Sequence, residues 1–275
     1  MATLNEDRRK AVDQRTQLAN EIKSQLKVYF PLALQVLDND TSSGLAADLL
    51  LQWPTLEALQ KVSSHKLRKF FYGHNCRQEQ KLLERLRLIQ EAKPLLTDPA
   101  VIEPAMLRLQ MLAQQLKALL PYITRYEKQI AELFDSHPDS FLFRDLPGAG
   151  PALAPRLLTA FGTDRERFES AAELASLSGI APVRKASGKS TTVQLRWACP
   201  KFLRQSFHEF GAASIRTCPW AKACYEAQRA RGKGYHAAVR AVAFKWIRIL
   251  FACWKQRVAY TQDRYFQSLQ TRGSA

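Results

Sequence analysis

Long apolar runs are missing from this chain. No stretch of about eighteen hydrophobic residues occurs, which excludes a membrane-spanning helix. Cysteine is scarce. Cys76, Cys199, Cys218, Cys224 and Cys253 are odd in number and irregularly spaced, so neither paired zinc ligands nor a disulfide framework is expected. They read as reduced thiols of a cytoplasmic protein. Met1–Lys10 is too charged for a secretory signal. Several catalytic templates are also absent. Gly188-Lys189-Ser190 invites a phosphate-loop reading, but the glycine required five positions earlier is Val183. His208-Glu209 lacks the second histidine of a zinc-protease helix, the five histidines have no ligand spacing, and no Gly-x-Ser-x-Gly elbow exists.

The most informative scarcity is of acidic residues in the last third. The chain has 275 residues and a net charge of +16. Residues 1–183 are nearly balanced, with 23 Lys and Arg against 22 Asp and Glu. From Arg184 onward, 18 Lys and Arg face only Glu209, Glu226 and Asp263. Solvated surfaces normally intersperse both signs. A region this basic is built to meet a polyanion, and nucleic acid is the commonest one in the cytoplasm.

Hydrophobic content of 46% and charged content of 24% are those of a globular chain large enough to bury a core. The patterning is helical. Leu18, Ile22, Leu26 and Tyr29 recur at three-to-four spacing on a helix over Leu4–Phe30 that Pro31 stops. Short helices are expected over Leu45–Gln52, Leu56–Val62 and His65–Tyr72, then one carrying Leu82, Leu86 and Ile89. After a break at Pro99–Pro104, Leu109, Leu112, Leu116, Leu119, Ile123, Tyr126, Ile130 and Leu133 form a heptad stripe. It stays in register across Pro121, which favours one kinked helix. Its partner is either the Leu82–Ile89 helix folding back or another subunit. From Phe141 glycines come closer together, and Lys201–Ser214 and Tyr235–Tyr260 read as helices. Trp246 and Trp254 sit at core spacing in the second. They and Trp197 and Trp220 are the aromatic candidates for base stacking.

Two constellations carry chemistry. Leu146-Pro-Gly-Ala-Gly-Pro151, followed by Ala154 and Leu157-Leu158, has the form of a helix-hairpin-helix. Gly148 and Gly150 would let backbone amides at the start of the second helix face a phosphate oxygen. Pro155 departs from that form by removing an amide inside the helix. The second is a Ser-Gly turn at Ser187-Gly188, flanked by Arg184, Lys185 and Lys189 and followed by Arg196, Lys201 and Arg204. A hydroxyl among cations is suited to a scissile phosphate, whose developing charge the cations would stabilise.

The order of these motifs resembles one family. The stretch from Asp145 through Arg156 (DLPGAGPALAPR), then Phe168–Ser178 (FESAAELASLS), then Gly179-Ile-Ala-Pro and Ser187-Gly188, is similar to the carboxy-terminal domain of transposases of the insertion sequence 110/116/902 family. The tail around QSFHEFGAASIRTCPW resembles one branch of it, and EDRRKAVDQRTQLANEIKS resembles the helix after the family's acidic domain. The resemblance implies DNA recombination guided by a structured RNA, with DNA and that RNA as partners. It implies that Ser187 is a nucleophile forming a phosphoserine link. It also implies Mg2+ held by carboxylates of an amino-terminal resolvase-like domain. Glu6, Asp7 and Asp13 match the segment after that carboxylate cluster, so no cofactor is expected to be bound by this chain alone.

The expected architecture is mainly α. Remnant helices occupy 1–74, a coiled-coil segment 75–138, and a small helical transposase domain with the hairpin turn 139–275. The expected function is that of a transposase, truncated and inactive alone, forming homo-oligomers away from membranes. Two rivals are a non-catalytic nucleic-acid binder competing with full-length transposase and a structure-specific repair protein using the hairpin turn.

Overall fold

The computed structural model describes residues 1–187, 190–194 and 196–271. It is mainly α: fourteen helices and one two-stranded sheet occur among the described residues. The chain divides into two compact units, Asp7–Tyr126 and Met1–Glu6 with Glu127–Ala275. None of the described helices is long and apolar enough to cross a membrane.

The unit over Asp7–Tyr126 is built from most of α1 (Ala2–Tyr29), then α2 (Leu32–Val36), α3 (Gly44–Gln52), α4 (Leu56–Gln60), α5 (Ser64–Gly73), α6 (Glu79–Glu91) and the larger part of α7 (Pro99–Asp135). Local chemistry sets the starts. Ser43, Thr55 and Ser63 each accept a hydrogen bond from the amide three residues on, filling orphan donors of α3, α4 and α5. The Gln60 side chain donates to the carbonyls of Ile89 and Ala92, at 2.8 and 2.9 Å, which satisfies the end of α6. Leu18, Ile22 and Leu26 share one buried cluster with Leu82, Leu86 and Ile89 and with Leu109, Leu112 and Leu116. The first half of the heptad stripe is thus covered by helices of this chain. At the far end Leu133 is exposed and Phe134 is buried in its place.

Helix α7 differs from expectation at its start. Pro99–Pro104 does not break the chain; the helix begins there and runs unbroken through Pro104 and Pro121. Asp98 explains the start. Its carboxylate accepts from the Ala100 amide at 2.9 Å, which makes Pro99 the first helical residue, where a missing N–H costs nothing.

The second unit contains α8 (Phe141–Arg144), α9 (Gly150–Phe161), α10 (Ala171–Leu177), β1 (Val183–Ser187), β2 (Ser190–Gln194), α11 (Lys201–Ser214), α12 (Pro219–Ala230), α13 (Tyr235–Gln256) and α14 (Gln262–Thr271). Helix α13 is its axis. Val242, Ala243, Trp246, Ile247, Leu250 and Trp254 are buried, and Phe244, Ile249 and Phe251 pack around them. The tryptophans keep their N–H groups satisfied: Trp246 donates to Ser214 Oγ and Trp254 to the Gly162 carbonyl, both at 2.8 Å. Helices α11 and α13 approach so closely that a Cβ at Gly211 would lie 3.1 Å from that of Ala243.

Two glycines of the Pro-Gly-Ala-Gly turn serve different ends. Gly148 has φ +84° and its Cα faces the backbone of Ala213 and Ser214, which a Cβ would meet at 2.8–2.9 Å. Gly150 has φ +54° and open space around it. Gly150→Ala should cost about 1 kcal/mol, the left-handed penalty alone, whereas Gly148→Ala should cost at least twice that because backbone must move. Trp246→Phe should cost about 1–3 kcal/mol by taking the N–H from Ser214. Denaturant midpoints check all three; equal losses at the two glycines would contradict the packing argument.

Candidate nucleic-acid interface

The basic constellation around Ser187 is a β-hairpin, which a turn among short helices did not anticipate. β1 pairs antiparallel with β2 in the register Val183↔Gln194, Arg184↔Val193, Lys185↔Thr192, Ala186↔Thr191 and Ser187↔Ser190. Ser187 is the last residue of β1 and is exposed. Gly188 and Lys189, the latter an expected phosphate contact, lie outside the described residues. The signal was present in the sequence: β-branched Val183, Thr191, Thr192 and Val193 flank a two-residue Gly-Lys connection.

The base of the hairpin is pinned. Gly179 has φ +67°, and a Cβ there would run into Cys199 Sγ and sit 3.4 Å from the Arg196 carbonyl. That packing holds the segment entering β1 against the segment leaving β2. The Arg204 guanidinium, one turn into α11, donates to the same Arg196 carbonyl at 3.3 Å. Arg196, Arg204 and the exposed Lys201 at the head of α11 therefore follow the hairpin closely in the fold as well as in the chain. Trp197, beside Arg196, is 81% exposed, whereas Trp220, Trp246 and Trp254 are buried.

On α9, Gly150, Pro151 and Ala152 are exposed at the helix start, so the free amides there face solvent. Pro155 leaves the helix continuous. Further along, Arg156 is buried against α11: it donates to Ser206 Oγ at 3.1 Å, pairs with Glu209, and stacks over Phe202. This pair occupies Glu209, one of the three acidic residues in the last third.

Two further basic residues, His236 and Arg240 of α13, come up against α11 and were not singled out in the sequence. The His208 and His236 rings lie 5.4 Å apart. Burial, then the charges of His236 and Arg240, hold the His208 pKa below the ordinary histidine value. Only the tertiary fold brings these residues together, so no local pattern announced them.

Among the described residues no three His, Cys, Asp or Glu side chains come together in a way that could hold a metal ion. Asp7 and Asp13 pair within α1, with Lys10 at 3.1 Å and Arg9 at 3.0 Å. All five cysteines are free.

Comparison with known proteins bears on the segment that builds this interface. Residues 141–226, from the first residue of α8 into α12, match the transposase IS116/IS110/IS902 family. The chain is 30% identical over 263 residues to the mini-circle putative transposase for IS117 of Streptomyces coelicolor, covering 94% of this chain and 64% of that protein. It is 28% identical over 250 residues to the insertion element IS110 uncharacterized 43.6 kDa protein of the same species, covering 89% and 60%. An IS900 protein of Mycobacterium paratuberculosis is 31% identical over 150 residues, covering 54% and 38%. The chain thus spans less than two thirds of the length of these relatives. A family match lying on α8 through the hairpin and α11, joined to similarity along nearly the whole chain, leads to one assignment: residues 141–226 are a transposase domain of the IS116/IS110/IS902 family.

Proposed function

We propose that this chain, with its transposase-family domain, binds DNA and a structured guide RNA through its basic last third, and that Ser187 is the nucleophile of strand exchange. The observation that carries the reading is the exposed Ser187 hydroxyl at the end of a strand, in a segment where eighteen cations meet three carboxylates. Arg184 and Lys185 lie on the same strand, and Arg196, Lys201 and Arg204 follow the hairpin. The exposed start of α9 at Gly150 supplies backbone amides for a further phosphate, a contact that grips DNA without reading its sequence. Gly148 contributes by shaping that turn against α11 rather than by approaching a ligand itself.

The chemistry proposed is direct displacement at phosphorus. Ser187 Oγ forms a bond to the phosphorus of a DNA phosphodiester, and the bond from phosphorus to one deoxyribose oxygen breaks. The hydroxyl proton ends on that leaving oxygen, directly or through solvent. The product is a phosphoserine diester and a free strand end, and the reverse displacement by a different strand end rejoins DNA without outside energy. Negative charge builds on the phosphoryl oxygens in the transition state. The surrounding guanidinium and ammonium groups are more valuable there than in the ground state.

The test is a covalent trap. The protein is incubated with labelled duplex DNA from either side of its coding sequence, with magnesium present, and denatured before electrophoresis. A labelled adduct should form with wild type and with Ser190→Ala and vanish with Ser187→Ala, while DNA binding is retained in all three. An adduct surviving in Ser187→Ala would contradict the assignment of the nucleophile. Equal binding with no adduct in any form would favour a non-catalytic nucleic-acid binder.

A further inference from the structure

The crossing of α11 and α13 brings basic side chains of the two helices together. Where Gly211 abuts Ala243 the two helices are in close contact. Arg204 and His208 of α11 are there brought against Arg240 and His236 of α13. Among the described residues neither Arg204 nor Arg240 takes part in an ion pair. Glu209, the acidic residue next to His208 on α11, is paired with the buried Arg156. Like charges gathered without a counter-charge lower the stability of the fold. Burial, and then the charge of Arg204, hold the Arg240 guanidinium below its usual range. Groups perturbed in this way by burial and by like charge mark binding sites more often than passive surface.

An exposed aromatic residue is joined to this cluster through the backbone. Arg204 is tied to the carbonyl of Arg196, so Trp197 is the next residue along from that tether. It is 81% exposed, while Trp53, Trp220, Trp246 and Trp254 are 6% exposed or less. On the other side Tyr235 lies edge-on to His236 at 5.1 Å and Tyr225 backs it at 6.1 Å. Cations that seat a phosphate beside a bare indole make the pairing that single strands use. Every unpaired base offers a face for stacking, whereas a duplex has its faces covered.

We propose that Arg204 and Arg240, with His208 and His236 beside them, seat the phosphodiester of an unpaired nucleotide whose base stacks on Trp197. The proposal rests on the nucleic-acid reading above and narrows it to a single-stranded segment at one place. It also fixes a pH dependence. His208 faces His236 and Arg240 from α13 and Glu209 on its own helix, with Arg204 one turn away, Tyr235 flanking His236 and Tyr225 behind Tyr235. A histidine held below its ordinary pKa favours the neutral form in the fold. The stability this gives is present above the unfolded-state pKa and is lost as pH falls through the histidine range. A bound phosphate reverses the local sign, so binding takes up a proton and tightens as pH falls.

The experiment follows Trp197 fluorescence and anisotropy with three probes: an oligothymidine single strand, an oligouridine single strand and a DNA duplex. Arg240→Gln should weaken single-strand binding about tenfold while raising Tm, because it removes repulsion along with the anion contact. Arg240→Lys, which keeps the charge and loses the planar fork, should fall between. Trp197→Ala should weaken single-strand binding about tenfold and Trp197→Phe much less. His208→Gln with His236→Gln should flatten the pH dependence. The two single strands report whether the sugar matters; quenching by either supports the site. Unchanged single-strand affinity in Arg240→Gln, or equal quenching of Trp197 by duplex and single strand, would overturn this proposal alone. A wild-type protein that binds none of the probes would overturn it together with the broader nucleic-acid reading.

Discussion

Helix α13 constrains the rest of its unit. Its broad apolar face carries Val242, Ala243, Trp246, Ile247, Leu250 and Trp254, all buried. A helix of that kind must be enclosed. α11 can come close because Gly211 has no side chain to hold it off from Ala243, and it stays in register because Ser214 accepts the Trp246 N–H. The same Ser214 and Ala213 backbone receives Gly148, so the turn before α9 is placed by the helix that α13 positions. From one enclosed helix follow the position of α11, the turn before α9, and the basic faces that surround them.

Those faces are the cost of the arrangement. Filling the interior with aromatics sends the cations of the last third outward, where its own three acidic residues are too few to match them, although Lys255 and Arg257 reach Glu166 and Asp139. Glu209 is spent on Arg156, which joins α9 to α11, and Glu226 pairs with Lys222 within α12 at 4.0 Å. Like charges left without a counter-charge weaken the folded state, and under the proposed function a bound polyanion would relieve that repulsion. The hairpin then serves as a support: Gly179 against Cys199 fixes its base, and Ser187 is carried at its tip end.

Much of the helical framework was legible in the sequence. Pro31 ended the first helix, Lys201–Ser214 matched α11 to the residue, and the core role of Trp246 and Trp254 followed from their spacing. The order of the Pro-Gly-Ala-Gly turn, the FESAAELASLS segment and Ser187-Gly188 sufficed to point to the family. Three things were not legible. Pro104 reads as a break by itself, whereas the Asp98 cap has already started α7 five residues earlier. The hairpin shows only in the β-branched residues on either side of Gly188-Lys189, a weaker local signal than the helical stripes around it. Gly148 resembled a ligand contact, yet its close approach is to α11, a neighbour sixty residues on that no local pattern reveals. Arg240 and His236 are of the same kind, since they join the interface only through the helix crossing.

The central claim is that the charge of the last third exists to hold nucleic acid by its phosphates. The direct measurement is the affinity for DNA and for RNA across a series of salt concentrations. If about six phosphates are neutralised, the logarithm of the binding constant should fall against the logarithm of salt with a slope of roughly −5. A flat response, or no binding at the lowest salt, would contradict it.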